Sequence, residues 1–123
     1  MESAKNTIRG FKDLLVWQRS MDLAVRIYRT TQILPASERF GLTSQLRRAS
    51  VSIPSNIAEG YGRQSTGSYR QFLRISRGSL AEVETQINIC ERLNYLAQPE
   101  TEEIIKEIIE ISRMLTSLIS KIR

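Results

Sequence analysis

Arg70, Arg74 and Arg77 stand four and three residues apart in YRQFLRISRGSLAEVETQI, a segment whose apolar positions recur at helical intervals. On a helix that spacing stacks three guanidinium groups on one face within about 11 Å of axial rise. Each is a flat fork of N–H donors that matches phosphate oxygens, and no acid shares the stripe before Glu84. Arg63 lies just upstream, and Arg47 and Arg48 form a second, adjacent pair. The triple with Arg63 points to non-covalent binding of a polyanion, chiefly a nucleic-acid backbone. The plainer reading is a solvated charged face, or arginines that meet acids of a neighbouring chain. Tyr69 is placed to stack a base, although a tyrosine at such a position more often belongs to the core or its rim.

Other chemistries are closed off by what is missing. The chain has no histidine, which removes Ser-His-Asp and Cys-His nucleophiles, histidine-based ribonuclease sites and the Glu-x-x-His ligand sets of di-iron bundles. A single cysteine, Cys90, removes thiolate zinc sites and internal disulfides, and its apolar row marks it as a buried thiol in a reducing compartment. Glu100, Glu102, Glu103, Glu107 and Glu110 would suit a carboxylate magnesium site, but acids gather at a helix start because they oppose the helix dipole. The expectation is therefore a protein that is not an enzyme, with no cofactor and no metal.

The 123 residues make one domain, large enough to bury a core without staples. Its opening, MESAKNTIRG, lacks the apolar stretch of a signal peptide, and no apolar run spans a bilayer, so a soluble cytoplasmic protein with no membrane partner is expected. Charge is uneven: residues 1–77 hold 13 Lys and Arg against 5 acids, whereas residues 78–123 hold 5 against 8. Arginine supplies 14 of the 18 cations, a bias that suits phosphate and carboxylate alike.

Four amphipathic helices must position the arginines. Residues 1–10 read as a mobile tail and 11–123 as the folded domain. Asp13 is the expected N-cap of the first helix, whose seam runs Leu14, Trp17, Met21, Ala24, Tyr28 and Thr31, widened by Val16, Leu23 and Ile27, to an end near Gln32. Asp22 is spaced to pair locally with Arg19 and Arg26. After Pro35, Ser37 can start the next helix, with Gly41 setting off a short first piece. The third helix spans about Ser68 to Leu93 on the row Phe72, Ser76, Leu80, Val83, Ile87 and Cys90. Pro99 opens the fourth, whose seam is Ile104, Ile108, Ile111, Leu115, Leu118 and Ile122; Ile105, Ile109 and Ile119 broaden it, implying burial against a second neighbour.

The second helix carries most of the information. In LTSQLRRASVSIPSNIAEGYG the row Leu42, Leu46, Ala49, Ile53, Ile57 and Gly60 faces a core, while Pro54 cannot donate to the carbonyl of Ser50 and is expected to bend the helix near a helix or subunit contact. Ser50, Ser52 and Ser55 are candidates to bond the freed carbonyl. Gln45, Arg48, Asn56 and Glu59 are polar positions fit for a structural network, with Glu59 four residues before Arg63. The glycines of GYGRQSTGS, Gly60 and Gly62 included, read as a helix C-cap and connection rather than a phosphate loop, because no Walker lysine follows.

QLRRASVSIPSNIAEG, the opening FKDLLVWQRSMDLA and the later YRQFLRISRGSLAEVETQI, in that order, resemble the four-helix-bundle proteins encoded by intervening sequences of bacterial 23S ribosomal RNA genes. The resemblance covers roughly residues 11 to 96. It implies an all-α, up-and-down four-helix bundle that assembles into a ring, most simply a homopentamer. It also implies kinship with the accessory protein of diversity-generating retroelements, which binds nucleic acid and a reverse transcriptase. The functional expectation is a homo-oligomer that binds RNA or DNA through Arg63, Arg70, Arg74 and Arg77, with Arg47 and Arg48 second because the motif spans that pair. The alternative is a protein-interaction scaffold, such as a reverse-transcriptase accessory protein, whose arginines serve subunit or partner contacts.

Overall fold

The computed structural model describes residues 7–122, and the regular structure among them is all helical. The four long helices are α1 (Leu15–Thr30), α2 (Leu42–Tyr61), α3 (Thr66–Arg92) and α4 (Gln98–Lys121), with single 3-10 turns at Phe11–Asp13, Thr31–Ile33 and Ala36–Glu38. Cross-helix bonds give the directions. Gln45 meets Gln86 and Ser52 meets Ser79 across α2 and α3; Arg70 reaches Ile122 and Arg77 reaches Thr116 across α3 and α4. Each helix is thus antiparallel to the next, an up-and-down four-helix bundle.

The core is aliphatic. Leu23 and Ile27 from α1, Leu46, Ile53 and Ile57 from α2, Leu73, Leu80 and Ile87 from α3, and Ile104, Ile108, Ile111 and Leu115 from α4 are all fully buried. The helix ends use local chemistry. Ser65 accepts from the Ser68 N–H at 3.1 Å to start α3, a side-chain cap of the favoured kind. Asn94, at φ 62°, turns the chain after α3 while the Tyr95 N–H reaches back to the Cys90 carbonyl at 2.8 Å, a left-handed exit that asparagine tolerates. Glu38 joins two connections: one carboxylate oxygen accepts from the Leu42 N–H at 3.0 Å and the other from the Tyr95 hydroxyl at 3.1 Å.

Several sequence expectations change here. Residues 1–6 of the expected tail lie outside the described residues, while the Arg9 N–H donates to Asp13 at 2.9 Å. Asp13 is therefore engaged upstream, and α1 starts from Leu14 with no side-chain cap. The α1 seam is rotated from the expected one: Val16, Leu23 and Ile27 enter the core, whereas Met21 and Tyr28 are 39% and 43% exposed. Asp22 does not hold Arg19 and Arg26. Arg26 bonds Glu103 at 2.7 Å and Glu107 at 3.2 Å, and Arg19 pairs with Glu110, because α4 presents a carboxylate every turn along the flank of α1. On α4, Leu118 and Ile122 are half-buried and Ile119 takes the core position instead.

Candidate nucleic-acid interface

Two faces of α2 differ in what they meet. Toward α3 the residues are small and polar. Ser76 is buried and donates to the Ile53 carbonyl at 2.8 Å. Ser52 and Ser79 share a hydrogen bond at 2.8 Å, and the Asn56 amide donates to the Ser52 carbonyl at 2.8 Å and hydroxyl at 2.9 Å. Gly60 is buried within the helix, not in a loop: a Cβ there would stand 2.7 Å from the Phe72 Cβ. Its role is close approach of α2 to α3, and the C-cap is Gly62. The helix continues through Pro54. The Ser50 hydroxyl donates to the Arg47 carbonyl at 3.0 Å, and Ser52 is taken up by Ser79 and Asn56, so neither serves the carbonyl that the proline leaves free. Gln45, Asn56 and Glu59 line the α2–α3 side or its rim, with Glu59 bonding Arg63 at 2.8 Å.

Toward α1 the same helix is apolar and open. Trp17, Met21, Ala24, Val25 and Tyr28 of α1 and Val51, Pro54 and Ala58 of α2 line a groove of about 540 Å³. Sequence periodicity missed this groove. Its signal was the breadth of the α1 stripe, which is wider than one core contact requires.

The six arginines part company. Arg47 donates to the Thr31 hydroxyl at 2.9 Å and the Tyr28 carbonyl at 3.2 Å, with its guanidinium 4.8 Å from the Tyr28 ring centre. It closes the C-terminal end of α1, where cations favour the exposed carbonyls. Arg48 is exposed beside Gln45, Ser52, Glu82 and Gln86. Arg63 is shared between Glu59 and the face of Phe72, 4.8 Å away. Arg70, Arg74 and Arg77 run along the α3–α4 seam: Arg70 donates to the Ile122 carbonyl at 2.7 Å and Arg77 to the Thr116 hydroxyl at 3.2 Å. No ion pair to these three is present among the described residues.

What the antiparallel arrangement brings together is two acid-free segments. Residues 60–81 and 111–122 contain no Asp or Glu and carry six cations, against a net charge of +5 for the whole chain. The rest of the molecule is therefore net negative. The two sequence halves do not map onto the two ends: Arg26 and Arg47 of the basic half lie toward the acid-rich end, and the basic end joins residues 60–81 to the last turns of α4. Arg113 and Lys121, which sequence reasoning did not single out, belong to the basic end and lie on the other flank of α4 beside Leu14 and Leu15. The absence of acids after Glu110 was their signal.

Half-burial raises the pKa of Tyr69, which packs edge-on against Tyr61 with ring centres 5.9 Å apart. Burial, with a smaller contribution from Glu38, lifts the Cys90 thiol to about 11, so the thiol stays protonated and unreactive at neutral pH. No cluster of three or more acids or cysteines is placed to hold a metal ion among the described residues. None of their helices is long and apolar enough to cross a membrane.

The model of the 23S rRNA-intervening sequence proteins matches residues 12–117. The chain belongs to that family. The match takes in α1, α2, α3 and most of α4, and so both the motif around Pro54 and the arginine stripe. A crystal structure agrees: a protein of unknown function from the S23 ribosomal protein family of Bacteroides thetaiotaomicron is similar at TM-score 0.81 and 28% identity, over 87% of this chain and 96% of its own. No curated protein matches.

Proposed function

We propose that this member of the 23S rRNA-intervening sequence protein family is a non-enzymatic, self-associating protein that binds RNA or other nucleic acid through the basic end of its bundle. The observation that carries this reading is the pairing of the two acid-free segments, which concentrates more positive charge than the whole chain bears in net. Arg70, Arg74 and Arg77 lead the set, with Arg63 beside them. Arg48 is a secondary contact, and Arg47 ranks last because its donors already serve α1.

The same reading has copies of the chain associating through the α1–α2 groove, into a ring of five if the family resemblance holds. Support comes from Met21, Val25, Tyr28 and Val51, between 39% and 44% exposed on one continuous surface, an uncommon display for a monomer. A ring would repeat the basic end once per subunit.

The test is a triple substitution, Arg70→Gln, Arg74→Gln and Arg77→Gln, read by RNA binding across a salt series and by light scattering. Removing one phosphate-binding cation flattens the logarithmic salt slope by roughly 0.7 to 0.9. The proposal expects an intact assembly, weaker binding and a shallower slope. Dissociation into smaller species would assign the stripe to a subunit contact, the scaffold reading. Unchanged assembly and unchanged binding would defeat both.

A further inference from the structure

The aromatic rings beside the arginine stripe are already engaged. Tyr69 lies edge-on to Tyr61, and Phe72 is covered by the Arg63 guanidinium. Phe11 and Trp17 stand at the same end but on the α1–α2 side, where they pack edge-on at 5.3 Å and Trp17 lines the apolar groove; Tyr28 lies under Arg47 and Tyr95 bonds Glu38 toward the opposite end. Phe40 is 87% exposed, but it follows Glu38, whose partner Tyr95 lies more than roughly 20 Å along the α3 direction from Arg77. Unpaired nucleic acid is held largely by stacking its bases on aromatic faces, each worth about 1–3 kcal/mol, alongside a cationic track. The stripe offers the cations with the rings beside it already engaged.

What it offers instead is a ridge of fixed donors. Arg70 to Arg77 spans about 11 Å of α3, and the two outer guanidiniums are anchored on α4 by Ile122 and Thr116. Each guanidinium carries five N–H donors, so a single anchoring bond orients the fork and leaves donors for phosphate. Thr116 is exposed on the adjoining turn of α4, and hydroxyls bond backbone oxygens without reading sequence. Arg113 and Lys121 continue the charge around the far flank of α4.

We infer that the nucleic acid this surface takes is a base-paired helix, gripped by its phosphate backbone, and that unpaired strands are poor ligands. The inference rests on the nucleic-acid reading above. Its test is fluorescence anisotropy of the full chain with two probes at one salt concentration: a blunt RNA duplex of about 20 base pairs, comparable to the span of a double-stranded RNA-binding domain, and an oligouridylate of about 40 nucleotides, which offers a similar number of phosphates but no pairing. The duplex is expected to bind about tenfold more tightly, and the triple glutamine variant to lose most of that difference. Equal or tighter binding of oligouridylate overturns the inference while leaving nucleic-acid binding in place. A duplex preference that survives in the triple variant overturns the stripe as its source. Failure of both probes to bind overturns the proposed function itself.

Discussion

One helix, α2, separates a closed seam from an open one. On the α3 side Gly60, Ser52 and Asn56, against Ser76, Ser79 and Phe72, bring two backbones together and spend their polar groups on each other. On the α1 side larger apolar residues, Trp17, Met21, Val25, Tyr28 and Val51, leave a groove. The difference shows that hydrophobicity alone does not close a helix pair. Small residues with satisfied hydroxyls let two backbones approach, whereas the bulky ones beside Pro54 leave space between them.

The sharpest way to break this comparison is at Gly60. Gly60→Leu places side-chain atoms where a Cβ alone would already lie 2.7 Å from the Phe72 Cβ, and overpacking of that kind costs about 3 kcal/mol. A thermal melt should fall by roughly 10 °C; a melt within a degree or two of the wild type would remove close approach as the function of this glycine. The core holds Cys90, whose thiol burial pushes up; Tyr69, half-buried at its edge, and Tyr95 in the α3–α4 connection are also raised, Tyr95 chiefly by its hydrogen bond to Glu38. Because the folded state keeps these groups protonated while the unfolded chain releases them, stability is full below the ordinary thiol value of 9.0 and falls as pH rises toward about 11. Denaturant melts should lose roughly 1.4 kcal/mol per pH unit from Cys90 alone inside that window. Cys90→Ala, though less stable, should show a flatter alkaline limb, and an unchanged limb would deny the thiol this role.

Ser76→Ala is a milder test of the same seam. It removes one buried hydrogen bond, to a carbonyl that α2 itself can satisfy, and should cost about 1 kcal/mol by urea melts; no loss would mean that the serine matters for size only. The smallest effect on folding belongs to the open side. Val25→Gln with Val51→Gln should shift the stability of the single chain by no more than about 0.5 kcal/mol, yet weaken self-association in sedimentation. Unaltered association would leave the groove without a partner copy.

The sequence disclosed the central turns of α3 and α4 well, where Leu80, Val83, Ile87, Ile104, Ile108 and Ile111 reach the core as their spacing requires; at the end of α4, where the row is broader, Ile119 takes the core position expected for Leu118. It misplaced the α1 seam because both edges of a broad stripe are apolar, and periodicity cannot say which edge a neighbour covers. Local spacing likewise offered Asp22 to Arg19 and Arg26, whereas their partners are more than seventy residues away in α4. Arg47 was legible as a cation but not as the closing group of α1, since that role exists only once α2 lies beside Thr31. Gly60 fell correctly in the core row, but Phe72, the reason for a glycine there, is visible only in the fold.

Under the proposed reading, the excess of positive charge at one end also bears on how the molecule would meet a polyanion before any contact forms. A chain with Arg70, Arg74, Arg77, Arg113 and Lys121 at one pole and Glu100, Glu102, Glu103 and Glu107 on α4 toward the other experiences a torque in a negative field, not merely attraction. It would turn basic end first during diffusion, so that a larger share of collisions with such a ligand is productive. That advantage resides in the association rate, which fades as salt shortens the reach of the field.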